Sequence, residues 1–79
     1  MEVYTIYDKV AGIYGHPCCF SSQSVAVRQM ASYFLDKNNY LAKDCDIYFL
    51  GKYDEFTGLF DLKDKPEFIL NIGEFINAQ

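Results

Sequence analysis

The sequence has no tryptophan, a single histidine, two prolines and seven lysines and arginines against eleven acids. With one histidine, a general base would have to be His16. A pair of His16 with Cys18 or Cys19 is then the one nucleophilic arrangement to consider, and no third group to orient it is apparent. An enzyme is not expected. The formal charge of −4 argues against a protein that grips duplex DNA through its backbone, which needs several cations to displace counterions from phosphates. Lys9, Arg28, Lys37, Lys43, Lys52, Lys63 and Lys65 are scattered, most with acids beside them. No stretch approaches the roughly 18 apolar residues of a membrane helix, and MEVYTIYDKV has no basic leader, so a soluble intracellular protein is expected. Three cysteines with Cys18 and Cys19 adjacent do not form an ordinary disulfide framework. His16, Cys18 and Cys19, with Cys45 from a distance, would suit zinc, yet the paired spacing of structural sites is missing. Reduced thiols, no metal and no cofactor are the expectation.

What the chain has in surplus is aromatic side chains, seven Tyr and seven Phe in 79 residues. A chain this short has room for one domain, residues 1–79, and one small core. Such a core cannot enclose every ring, so some are expected to be exposed or to serve an interface.

VYTIY, from Val3 to Tyr7, is dense in β-branched and aromatic residues and predicts a strand covered on both faces. Gly12, Gly15 and Pro17 mark an irregular connection that has room for a short strand at Ile13 and Tyr14. A helix follows, with Ser21 as its cap, Phe20 and Val25 as a hydrophobic staple, and an end near Asp36. Ala26, Val27, Met30, Ala31, Phe34 and Leu35 form its apolar stripe, and Arg28, Gln29 and Ser32 face water. Lys37, Asn38 and Asn39 supply the stop.

From Cys45 a second strand sends Ile47, Phe49 and Tyr53 one way and Tyr48 and Leu50 the other. Its end, GKYDEFTG, holds two glycines, a lysine and two acids. A phosphate loop needs its lysine after the second glycine and before a helix, and an EF-hand needs acids at alternate positions. Neither spacing is present. Asp54 to Gly58 instead have the length and residue types of a hairpin connection leading to Leu59–Leu62. DLKDKP then reads as a charged turn, and EFILNIGEFINAQ as an extended segment followed by a short turn or tail, although the same residues also fit a short helix. The expected class is α+β: a small antiparallel sheet with a β-hairpin in its C-terminal half, packed against one main helix.

Several residues carry a resemblance. Ile6, Tyr7, Asp8, Lys9 and Ala11, then Tyr14 and Pro17, then Ala26 and Arg28 in an A-x-R step follow the order seen in one group of phage proteins. The most specific stretch, D-F-x-L-Y-x-I-G-x-F-D-x-x-T-G, is matched by Asp44, Tyr48, Gly51, Asp54, Thr57 and Gly58, with Ile47, Leu50 and Tyr53 as close replacements. From Val3 to Gly58 the chain resembles the small nonstructural protein of gokushoviruses, phages of the Microviridae with single-stranded DNA genomes. Cys45 and Met30 replace phenylalanines of that pattern and stay apolar, while the Cys18–Cys19 pair is particular to this sequence. The resemblance implies a non-enzymatic early protein in the host cytoplasm that binds DNA and promotes synthesis and packaging of single-stranded genomes.

Two functions follow. In the first, single-stranded DNA stacks on exposed rings, with Tyr7, Tyr14 and Tyr48 as candidates, while Lys9, Arg28, Lys37, Lys43 and Lys52 guide its backbone. In the second, an acidic module uses its surplus rings to bind a second copy of itself, making a homo-oligomer, or a host protein or viral replication or capsid protein.

Overall fold

β1 (Glu2–Asp8) is the strand on which the sheet is built, and it is paired along both edges. On one side it runs antiparallel to β4 (Cys45–Asp54), with Tyr4 opposite Phe49 and Ile6 opposite Ile47. On the other it meets β2 (Ile13–Tyr14) near its end and β3 (Cys18–Phe20) near its start. β4 pairs antiparallel with β5 (Leu59–Asn71). The order is β2-β1-β4-β5 with β3 beside β1, and this small antiparallel sheet curls into a half-barrel. Two helices, α1 (Gln23–Ser32) and α2 (Ile72–Asn77), and a 3₁₀ segment (Asn39–Asp44) complete a broadly α+β arrangement. The computed structural model describes residues 1–35 and 39–78.

The side-chain alternation of a strand separates two faces. Tyr4, Ile6, Ile47 and Phe49 point to the first, where Ala26, Val27, Met30, Ala31 and Phe34 of the α1 stretch and Ile72 of α2 close the core. Fully burying a side chain such as Ile47 contributes about 1.5–3 kcal/mol, so this face holds the sheet and helices together. Thr5, Tyr7, Asp46 and Tyr48 lie on the second face by register.

β2 and β3 behave as one strand interrupted by a bulge. Gly15 donates its amide to Ile6 at 2.7 Å, the β2 register continued, and β3 then resumes one residue out of step. His16 and Pro17 therefore stand opposite Thr5 alone, and the buried Thr5 hydroxyl donates to the Gly15 carbonyl at 2.8 Å. Pro17, which cannot donate to a ladder, sits where none is required.

Several local expectations need correction. Ser22, not Ser21, caps α1: its Oγ accepts from the Val25 amide at 3.3 Å, so Phe20 and Val25 no longer hold staple positions. The helix ends at Ser32 rather than near Asp36. Phe34 and Leu35 bond back only three residues, to Ala31 and Ser32, and the tightened path buries Phe34 while leaving Leu35 exposed. The expected stop at Lys37 and Asn38 lies outside the described residues. DLKDKP is no turn, because β5 runs through it. Residues 63 to 66 stand opposite Leu50 alone and arch away from β4, which an edge strand containing Pro66 can tolerate. After Asn71 the chain forms α2 instead of a turn or tail. Asn71 accepts from the Glu74 amide at 2.9 Å as its cap and donates to Asp46 Oδ1 at 2.9 Å and the Lys43 carbonyl at 3.0 Å. Finally, a register step at Leu50 and Gly51 reverses the alternation of β4, so Tyr53 leaves the face of Ile47 and Phe49.

Candidate functional site

The second face of the sheet gathers aromatic rings. Tyr7 and Tyr14 are direct cross-strand partners, with centroids 4.5 Å apart. Tyr48 stands two residues along β4 from Asp46, the partner of Tyr7, and so on the same face; its ring meets Tyr7 at 6.0 Å and Tyr14 at 5.4 Å. Phe68, the partner of Tyr48 on β5, extends the row at 5.8 Å. Three of these contacts are near edge-to-face, at 79° to 81°, the arrangement the ring quadrupoles prefer. The row thus crosses β2, β1, β4 and β5. Its two ends are the open ones, Tyr14 at 46% and Phe68 at 55% exposure, while Tyr7 and Tyr48 are half-buried.

The charges beside this row are paired. Lys9 Nζ lies 3.6 Å from Asp46 Oδ1, and the same carboxylate oxygen accepts from Asn71. Burial pushes the Tyr48 hydroxyl above its ordinary pKa, Tyr14, Asp46 and Tyr7 push it the same way, and Lys9 opposes them. At neutral pH Tyr48 is therefore an uncharged donor. An apolar row of tilted rings, open at Tyr14 and Phe68, can receive planar groups at those ends, and its phenols can donate to acceptors.

The structure brings together Tyr7, Tyr14 and Tyr48 and sets Lys9 beside them. Lys43 follows in the 3₁₀ segment, where its carbonyl accepts from Asn71. Lys52 lies between Glu2 and Asp61 in the register of β1, β4 and β5, away from the ring row. Arg28 is on the exposed flank of α1, which covers the other side of the sheet. Lys37 falls outside the described residues. Phe68 and Asp46 complete the row and were missed. Phe68 was visible as a strand aromatic, but its partner is set by a register step between Ile47 and Tyr48 that no local pattern reveals.

The cysteines do not converge. Cys18 pairs with Tyr4 and Cys19 with Val3, so their side chains leave β3 on opposite faces. Cys18 Sγ approaches the His16 carbonyl at 3.8 Å. Cys45 is buried in the core, which raises its thiol pKa above the usual value, with Asp8, Asp44 and Asp46 adding to the effect. Among the described residues no group of three His, Cys, Asp or Glu side chains is placed to hold a metal ion, and no helix is long and apolar enough to cross a membrane.

No curated protein and no solved structure shows a significant match to this chain. The family described as Phage ORF5 protein matches residues 1–75, and the chain belongs to that phage family.

Proposed function

We propose that this chain is a non-enzymatic protein of the gokushovirus type that binds single-stranded DNA across the second face of its sheet. It acts in the host cytoplasm, where single-stranded genomes are made and packaged. The observation that carries the reading is the continuous ring row from Tyr14 through Tyr7 and Tyr48 to Phe68. Aromatic platforms hold successive bases at about 1–3 kcal/mol per base with little sequence preference. Membership of a phage family and the resemblance of Asp44 to Gly58 to gokushovirus proteins support the same reading.

The test is titration of a labelled single-stranded oligonucleotide by anisotropy at low salt. Tyr14→Ala and Phe68→Ala, at the open ends of the row, are expected to weaken binding roughly 5- to 150-fold. Phe56→Ala, at the exposed tip between β4 and β5, serves as the control and is expected to leave it unchanged. No binding by the wild type at low salt overturns the reading.

A second reading has its own observation. Leu59, Phe60 and Leu62 are each more than half exposed on β5, which suits an acidic interaction module that binds a viral replication or capsid protein, or another copy of itself, without touching DNA. Loss of all oligonucleotide binding together with retained protein association would select it.

A further inference from the structure

β5 is an edge strand whose outer side carries no partner among the described residues, and every side chain from Leu59 to Phe68 is exposed. An extended edge with apolar side chains is a template for another strand. What covers it can be read from its charges. Phe20, Glu2, Lys52 and Asp61 follow one another across β3, β1, β4 and β5 as direct register partners. Signs alternate from Glu2 to Lys52 to Asp61, so a cation is needed next.

We propose that β5 pairs antiparallel with β5 of a second copy of this chain, with Leu62 opposite Leu62 on the two-fold axis. In that register Asp61 of each copy faces Lys63 of the other, so each row of alternating charge gains the cation that follows its Asp61. Neighbouring registers fail: centring on Asp61 or on Lys63 sets like charges directly opposite one another, which is unfavourable. On the alternate face of the strand Leu62 of one copy meets its counterpart directly across the axis, and Phe60 of each copy lies diagonally from Leu62 of the other. To face Asp61 of the other copy, Lys63 gives up an exposed pair with Glu67 at 3.1 Å and a place over the Phe49 ring at 6.0 Å, both weak contacts at an exposed site.

The same edge explains why pairing closes at two copies. An isologous contact consumes both β5 edges. The opposite edge of each sheet is short and broken by the bulge at His16 and Pro17, and Pro66, which has no amide to donate, ends the available length on β5.

Charge reversal tests this directly. By sedimentation equilibrium the wild type is expected to dimerise, Asp61→Lys and Lys63→Asp each to raise the dissociation constant at least about tenfold, and the double exchange to restore it. A wild-type monomer from roughly 1 µM to 0.5 mM, or single reversals that leave the dimer intact, overturns the proposal. If a single variant loses its far-ultraviolet circular dichroism, hydrogen exchange of the wild type decides instead. Amide protection within residues 60 to 64 is expected to rise with protein concentration, and protection independent of concentration overturns the proposal.

Discussion

Asp54 shows how much one carboxylate can organise. It accepts from the Phe56 amide at 2.9 Å and from the Thr57 amide at 3.4 Å, its carbonyl accepts from Gly58 at 2.7 Å, and Gly58 takes φ +76° to complete the turn. The Phe56 amide above all holds the Asp54 carboxyl below its ordinary pKa; desolvation opposes it, and the Thr57 amide and hydroxyl and the N-terminal ammonium add smaller lowering effects. A depressed folded-state pKa means that the stabilisation is present above the unfolded-state value and disappears as pH falls through the folded one. Urea unfolding across pH 2 to 7 is expected to show Asp54→Ala less stable than the wild type at neutral pH, with the two converging at the acid end. A gap that stayed constant with pH would remove the carboxylate from the account. This turn was legible in the sequence because all its partners lie within four residues of Asp54. Asn71 was not, because the groups it joins, Lys43, Cys45 and Asp46, are 25 to 28 residues away.

Among the elements, the strands show where reading by pattern ends. VYTIY and the run from Cys45 were legible as strands, and α1 was legible from its stripe, because buried faces impose their period on the sequence. The cap was displaced by one residue because Ser21 and Ser22 are chemically equal and only the path from β3 chooses between them. β5 was misread at Asp61–Pro66 because charge and proline mark a turn and a protected edge alike. Gly51 is the position where these two strands depend on a missing side chain. Its φ is +143°, and an added Cβ would lie 2.7 Å from Leu62 Cα, so backbone strain and overlap act together. Gly51→Ala is expected to cost about 3 kcal/mol, a large share of the total stability of a small domain. Gly58→Ala, whose Cβ would meet only the Tyr53 hydroxyl at an ordinary 4.0 Å, is expected to cost about 1 kcal/mol for its positive φ. Urea midpoints measure both, and equal losses would show that the close approach of β4 and β5 at Gly51 contributes nothing.

At the scale of the whole molecule, the ring row and the acidic balance together dictate how DNA binding must respond to salt. Proteins that hold DNA by its phosphates lose affinity steeply as salt rises, with a slope of about −0.7 per neutralised phosphate on single strands. Among the described residues Lys9 is the cation held at the row by an ion pair, to Asp46, whereas Arg28 lies on α1 across the sheet and Lys52 stands between Glu2 and Asp61 in the register, away from the rings. One or two neutralised phosphates are therefore the most this surface supplies. A tenfold rise in salt is then expected to weaken oligonucleotide binding only about 5- to 25-fold. The net charge of −4 pulls the figure toward the lower end, because salt also screens the repulsion between protein and DNA. Lys9→Gln is expected to flatten the dependence further, while Tyr14→Ala lowers affinity at every salt concentration and leaves the slope alone. A slope steeper than about −3 would mean that DNA lies along a basic surface rather than on the rings. That outcome would move the site off the second face of the sheet.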